Sequence, residues 1–150
     1  MNKFASLFHD LDSMTKTNDR LDRLVTYFEN ACHADSIWVC WFLAGNRIKG
    51  AIKTGELRSF LSEKVNLPVW LIEECHDRVG DLAETVSLLA GSDSGNKALG
   101  LNETIRKFLL PLRAMDTEER KRTLYQAWEH LATDEMLPFH KLLTGGFRMG

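Results

Sequence analysis

A chain of 150 residues that is 44% hydrophobic and 27% charged has the balance of one soluble globular domain, long enough to bury about two-thirds of its unfolded surface without disulfides or metals. Its net charge of −2 excludes a uniformly basic protein, so a polyanion could be met only where cations are gathered on one face. The longest apolar run, residues 37–44, is far too short to cross a bilayer, and Lys3, His9, Asp10 and Asp12 interrupt the start where a secretory core would lie, so a cytoplasmic protein is expected.

Phe4, Leu7, Phe8 and Leu11 recur at helical spacing and predict a first helix with an apolar stripe. Residues 13–18 read as a polar turn, with Asn18 as the N-cap of a second helix that buries Leu21, Leu24, Val25 and Phe28. Asp35 or Ser36 is expected to cap a third helix, residues 37–44. Its Trp38, Val39, Trp41, Phe42 and Leu43 leave so little polar surface that it should be the central buried helix. Gly45 ends it, and a basic connector, residues 46–55, leads to a helix from Thr54 with Leu57, Phe60, Leu61 and Val65 inward.

Pro68 suits the first turn of the next helix, with Trp70, Leu71, Cys75 and Val79 turned inward and Gly80 as its stop. Asp81 starts a further helix over residues 82–89, closed by Gly91. Residues 91–100 read as a surface loop. They lack the Gly-Lys-Ser/Thr ending of a phosphate-binding loop, and no strand precedes them. Asn102 can cap residues 103–110, which Pro111 ends or kinks, and Asp116 with Glu119 has capping-box spacing before a helix carrying Leu124, Trp128 and Leu131. A last helix from Asp134 runs through Pro138 to Leu143 and into Gly145-Gly146. No stretch alternates like a strand. The expected fold is all-α, one domain over residues 1–150 built from roughly eight or nine short helices.

Cys32, Cys40 and Cys75 are odd in number and form no Cys-x-x-Cys pair, which reads as reduced thiols. Cys32 with His33 and Cys75 with His76 are adjacent, so on a helix they diverge, and no metal site is expected. The five histidines are scattered, and no nucleophile and base stand in a catalytic arrangement. Two stretches do suit an anion. Between Trp41 and Phe60 the bases Arg47, Lys49, Lys53 and Arg58 face the single acid Glu56. At the other, Lys141 and Arg148 flank Gly145-Gly146, a pair that admits positive φ and close approach to main-chain N–H groups, although Gly after a helix is also its commonest stop.

Three blocks in order, residues 4–28 (FASLFHDLDSMTKTNDRLDRLVTYF), 67–89 (LPVWLIEECHDRVGDLAETVSLL) and 141–150 (KLLTGGFRMG), resemble the N-terminal DNA-binding domain of ATP-dependent DNA ligases, the bacterial type in particular. The resemblance implies a helical domain that binds duplex or nicked DNA without reading its sequence. Such a domain lies across the minor groove and contacts phosphates on both sides of the break, so that catalytic domains encircle the duplex in DNA repair, replication or recombination. Leu43-Ala44-Gly45-Asn46-Arg47-Ile48-Lys49 follows the family's Leu-x-Gly-x-Arg-x-Lys pattern, which implies DNA contacts at Gly45, Arg47 and Lys49, with Lys53 beyond. The family often carries a further base where this chain has Gly50.

At the last block the implied contacts are Lys141 and Arg148 on phosphates, with Thr144 Oγ1 and the amides of Gly145 and Gly146 donating to backbone oxygens. Ligases of this kind are adenylated on a Lys-x-Asp-Gly motif, which this chain lacks, so the chain alone is not expected to be catalytic. No cofactor is expected in it; ATP and Mg are implied for the full-length ligase. The implied partners are duplex or nicked DNA and the catalytic domains of the parent ligase, with no membrane. The family's domain ordinarily continues past the Gly-Gly-Phe-Arg block, and if helices follow, apolar surface that they cover is expected to be open here. On the residues alone two other classes stay open: a helical protein-interaction module with a patch around Trp70 or Phe147, and a small enzyme using Glu74, Asp77, Asp81 and Glu84.

Overall fold

The computed structural model describes residues 1–91 and 99–147, and among them nine α-helices and no strand occur, as an all-α fold requires. These are α1 (Asn2–Ser13), α2 (Thr17–Asn30), α3 (His33–Leu43), α4 (Thr54–Val65), α5 (Val69–Val79), α6 (Leu82–Ala90), α7 (Leu101–Thr104), α8 (Thr117–His130) and α9 (Thr133–Thr144). Between α7 and α8 the chain continues through a π-helical turn (Ile105–Leu109) and a 3₁₀ turn (Leu110–Ala114) that begins with Pro111 in its first positions. Most of the predicted loop, residues 92–98, lies outside the described residues.

The central helix is α9. It packs against α6 and α1 and buries Met136, Pro138, Phe139, His140, Leu142 and Leu143. Around it, α2 lies on α1, α4 and α5 lie on α6, and α8 lies on the π and 3₁₀ turns. One apolar cluster runs through all of these, with Phe4, Leu7, Leu57, Leu61, Ile72, Phe108 and Phe139 fully enclosed. Pro138 inside α9 has no N–H for the Asp134 carbonyl four residues earlier. His9 of α1 supplies the missing donor, its Nε2 lying 2.8 Å from that oxygen.

Local signals place the helix ends well. Gly80 stops α5 at φ 84, and Asp81 caps α6 by accepting the Glu84 N–H at 2.9 Å. Asp116 does the same for α8 from the Glu119 N–H at 2.9 Å. Three buried faces differ from expectation. In α2, Tyr27 is enclosed and Leu24 and Phe28 are half-buried, while Leu21 and Val25 are more than half exposed, and the helix begins at Thr17 with Lys16 rather than Asn18 in the capping position. In α5, Ile72 faces inward and Trp70 points out. In α3 only Val39 and Phe42 are buried, so it is not the central helix. Seven apolar residues in a row, 37–43, leave no polar stripe to mark an outer face, and the face that is buried depends on which neighbours arrive.

Two expected caps also differ. Asp35 does not cap α3; its carboxylate accepts the N–H groups of Leu101 (3.3 Å) and Asn102 (2.8 Å) at the start of α7. Asn102, expected as a cap, is itself capped there. No helix among the described residues is long and apolar enough to cross a membrane.

Candidate nucleic-acid interface

A wide groove begins where α3 stops. Gly45 at φ 90 turns the chain, its N–H bonding the Phe42 carbonyl at 3.0 Å, and the Asn46 side chain donates to the Trp41 carbonyl at 3.1 Å. The connector then turns again at Gly50, where φ is 69. Along it Arg47 and Lys49 are exposed, while Ile48 is half-buried and Ala51 enclosed. Ala34, Ile37, Trp38 and Trp41 share one face of α3 and form one wall of a groove of about 1190 Å³. Asn102, Arg106, Leu109, Leu110 and Arg113 form the other wall, and Phe42, Gly145 and Phe147 also line the space.

Asn102 fastens the two walls. Its Oδ1 accepts Trp38 Nε1–H at 2.8 Å and Arg106 Nε–H at 2.9 Å, while its own amide is held by Asp35. The groove is thus built before any partner arrives. Arg47, Lys49, Arg106 and Arg113 contribute four positive charges, and among the described residues no carboxylate lines the groove. Among the described residues no carboxylate pairs with any of the four.

Gly145 brings the two predicted contact groups together. It closes α9 at φ 71, and a Cβ on it would sit 3.3 Å from Arg47 Cδ, so the arginine stem lies directly over the turn. The turn's donors are used otherwise than expected. Gly145 N–H returns to the Leu142 carbonyl at 3.4 Å and Gly146 N–H to the Lys141 carbonyl at 2.9 Å, which is a helix stop rather than a nest of free amides. Thr144 Oγ1 donates to the His140 carbonyl at 2.8 Å. Lys141 Nζ is ion-paired with Asp81, linking α9 to α6. Burial pushes the Asp81 carboxyl up, but the Lys141 ammonium and the Glu84 amide outweigh it and hold the group below the usual carboxylate range.

Of the other predicted site residues, Lys53 is exposed at the start of α4, outside the groove, and Arg148 lies outside the described residues. Arg58, from the same basic run, turns to His76 Nδ1 at 3.0 Å. Arg106 and Arg113 were not expected at the site. A signal for them exists: residues 104–115 carry Arg106, Lys107 and Arg113 and no acid.

Of the two places expected for a protein-interaction patch, one is closed and one is open. Phe147 is enclosed by the rings of Phe4 (5.4 Å), Phe8 (5.7 Å) and Phe42 (5.4 Å) and offers no patch; Trp70 is exposed. Among the acids, Asp81 is taken up by Lys141, and Glu74 by Arg78 at 3.5 Å. Among the described residues no three His, Cys, Asp or Glu side chains converge as metal ligands.

In class this is an all-α domain with an open groove, basic and partly apolar, at the junction of α3, the π and 3₁₀ turns and the end of α9. The family model for the DNA ligase N terminus matches residues 1–150, and the chain belongs to that family, the N-terminal domain of ATP-dependent DNA ligases. Comparison with curated proteins gives no match.

Proposed function

We propose that this domain grips the backbone of duplex DNA without reading its sequence and positions the DNA for the catalytic domains of a ligase. The observation that carries the reading is the groove itself: four cations with no carboxylate among them, on a chain whose net charge is −2. Arg47, Lys49, Arg106 and Arg113 pair with phosphates, the arginines by their paired N–H groups. Lys53 extends the footprint along the connector, and Gly45 sets that connector's path. Gly145 and Gly146, which lack a Cβ, let the Arg47 stem and the Thr144 and Lys141 side chains lie close over the turn, so these side chains meet a strand there before the glycine backbone does. Thr144 and Lys141 reach a phosphate only by releasing the His140 carbonyl and Asp81, so they bind second or shape the rim. Arg148, next after Phe147, completes the set.

The family relationship supports the finer points of this reading: a domain over residues 1–150 that lies on the minor groove beside a nick, in repair, replication or recombination. ATP and Mg serve the catalytic domains. Fluorescence anisotropy with intact and nicked duplex at two salt concentrations tests it. Binding should fall with a log–log salt slope of about −3 to −4 if four phosphates are neutralised. Arg47→Glu with Lys49→Glu should weaken binding at least about tenfold without lowering the melting temperature. Unchanged affinity in that variant, or no duplex binding at low salt, would sink the proposal.

A further inference from the structure

The groove exposes more apolar surface than a grip on phosphates uses. Ile37 is 68% exposed, Leu110 44% and Trp41 37%, and all three line the same space as the four bases. A closed duplex presents phosphates and sugars at its surface and keeps its base faces stacked, so an aromatic and aliphatic wall gains little from it. A ligand that is a flat apolar plate joined to a phosphate would use both halves of the groove. That is an unpaired nucleotide.

Three observations favour it over other occupants. Trp41 is preset, its ring held edge-on by Trp38 (5.6 Å) and Phe42 (5.4 Å), and Trp38 is in turn fixed by Asn102. The volume of about 1190 Å³ exceeds the roughly 300–1,000 Å³ of a small-molecule pocket, which suits a length of strand. Among the described residues every charged side chain that lines the groove is positive, which complements a polyanion and opposes a basic protein surface.

We propose that the groove is a single-strand subsite, in which one unpaired base stacks on Trp41 between Ile37 and Leu110 while the adjoining phosphates rest on Arg47, Lys49 and Arg113. The inference rests on the DNA-binding reading and deepens it, naming unpaired nucleotides, such as those at the end of a broken strand, as the ligand of this site. Trp41 acts by stacking, the sequence-tolerant mode by which single strands are held.

The test is anisotropy with a labelled oligothymidylate of about 12 nucleotides and a blunt duplex of the same length, at low salt, on the 150-residue chain and its Trp41→Leu, Trp41→Phe and Trp70→Leu variants. The oligothymidylate should bind. Trp41→Leu should weaken that binding by about tenfold, Trp41→Phe should restore most of it, and Trp70→Leu should change nothing. Blunt-duplex affinity should stay within about twofold throughout. Recovery in Trp41→Phe separates a lost stacking surface from a misfolded variant.

The proposal is overturned if the oligothymidylate fails to bind where the duplex does, or if Trp41→Leu binds it as the wild type does, which would leave the wall to a protein neighbour. Equal weakening of both ligands in Trp41→Leu also overturns it, because the wall would then serve the duplex. Loss of both in the wild type removes the DNA-binding reading itself.

Discussion

His140 shows how one residue in the centre of the fold ties three helices together. It has no exposed surface; Trp128 Nε1–H of α8 donates to its Nε2 at 2.8 Å, and Ser87 Oγ of α6 lies 2.9 Å from its Nδ1. With Nε2 accepting, Nδ1 carries the proton and Ser87 accepts it, passing its own to the Ala83 carbonyl at 2.6 Å. Burial pushes the imidazole pKa down from 6.5 to about 3, against the upward pull of the Met136 carbonyl. Between those values the unfolded chain binds a proton that the folded one refuses. The stability that this contributes is therefore whole above pH 6.5 and is lost as the pH falls towards 3, at about 1.4 kcal/mol per pH unit. Urea titrations at pH 6.5 and 5.0 should show the wild type losing about 2 kcal/mol more than His140→Gln, which shares every other titration. Equal losses would mean that His140 is already charged or that water reaches it.

At the scale of elements, the fold depends on helices completing one another's backbone. Pro138 leaves the Asp134 carbonyl of α9 without a donor, and His9 of α1 fills the gap. Asp35 of α3 likewise caps α7, and through Asn102 that cap sets the two walls of the groove. The first of these can be tested by a double-mutant cycle. His9→Ala should cost about 1 kcal/mol in the wild type and little in a Pro138→Ala background, where an alanine N–H meets the Asp134 carbonyl. Urea midpoints at constant slope would read it, and additive costs would show that His9 acts only by packing. No scan of one helix at a time finds such a pair. The proline reads as a local defect, and its remedy lies on a residue 125 positions from the orphaned Asp134 carbonyl.

For the whole molecule, the arrangement of charge matters more than its sum. Lys121 is engaged by Glu63 (3.0 Å) and Glu118 (3.3 Å) and Arg120 by Glu56 (2.9 Å), whereas no acid among the described residues pairs with the groove's four bases. Removing one positive charge should therefore have unequal consequences at two places. Arg113→Gln should lower duplex affinity and flatten the salt slope by about 0.9, while Lys121→Gln, with the same change in net charge, should leave affinity within about twofold. Equal effects would show that the field of the whole domain, and not the groove, attracts DNA.

What the sequence determined by itself lies within one helical turn of each residue. Period 3.6 marked the stripe of Phe4, Leu7, Phe8 and Leu11; Asp81 and Asp116 marked helix starts; Gly45, Gly80 and Gly145 marked stops that the fold realises at positive φ. The basic pattern at Arg47 and Lys49 was legible for the same reason, because both bases follow within four residues of the glycine stop at Gly45 and stay exposed. Tertiary structure alone decided which faces of α2, α3 and α5 are buried, since uniformly apolar or weakly patterned helices are sorted by their neighbours. It also decided that Lys141 is engaged by Asp81 and that Arg106 and Arg113 join Arg47 across the groove. Caps and propensities act over about four residues, whereas burial and ion pairing depend on groups that only folding brings within a few ångströms.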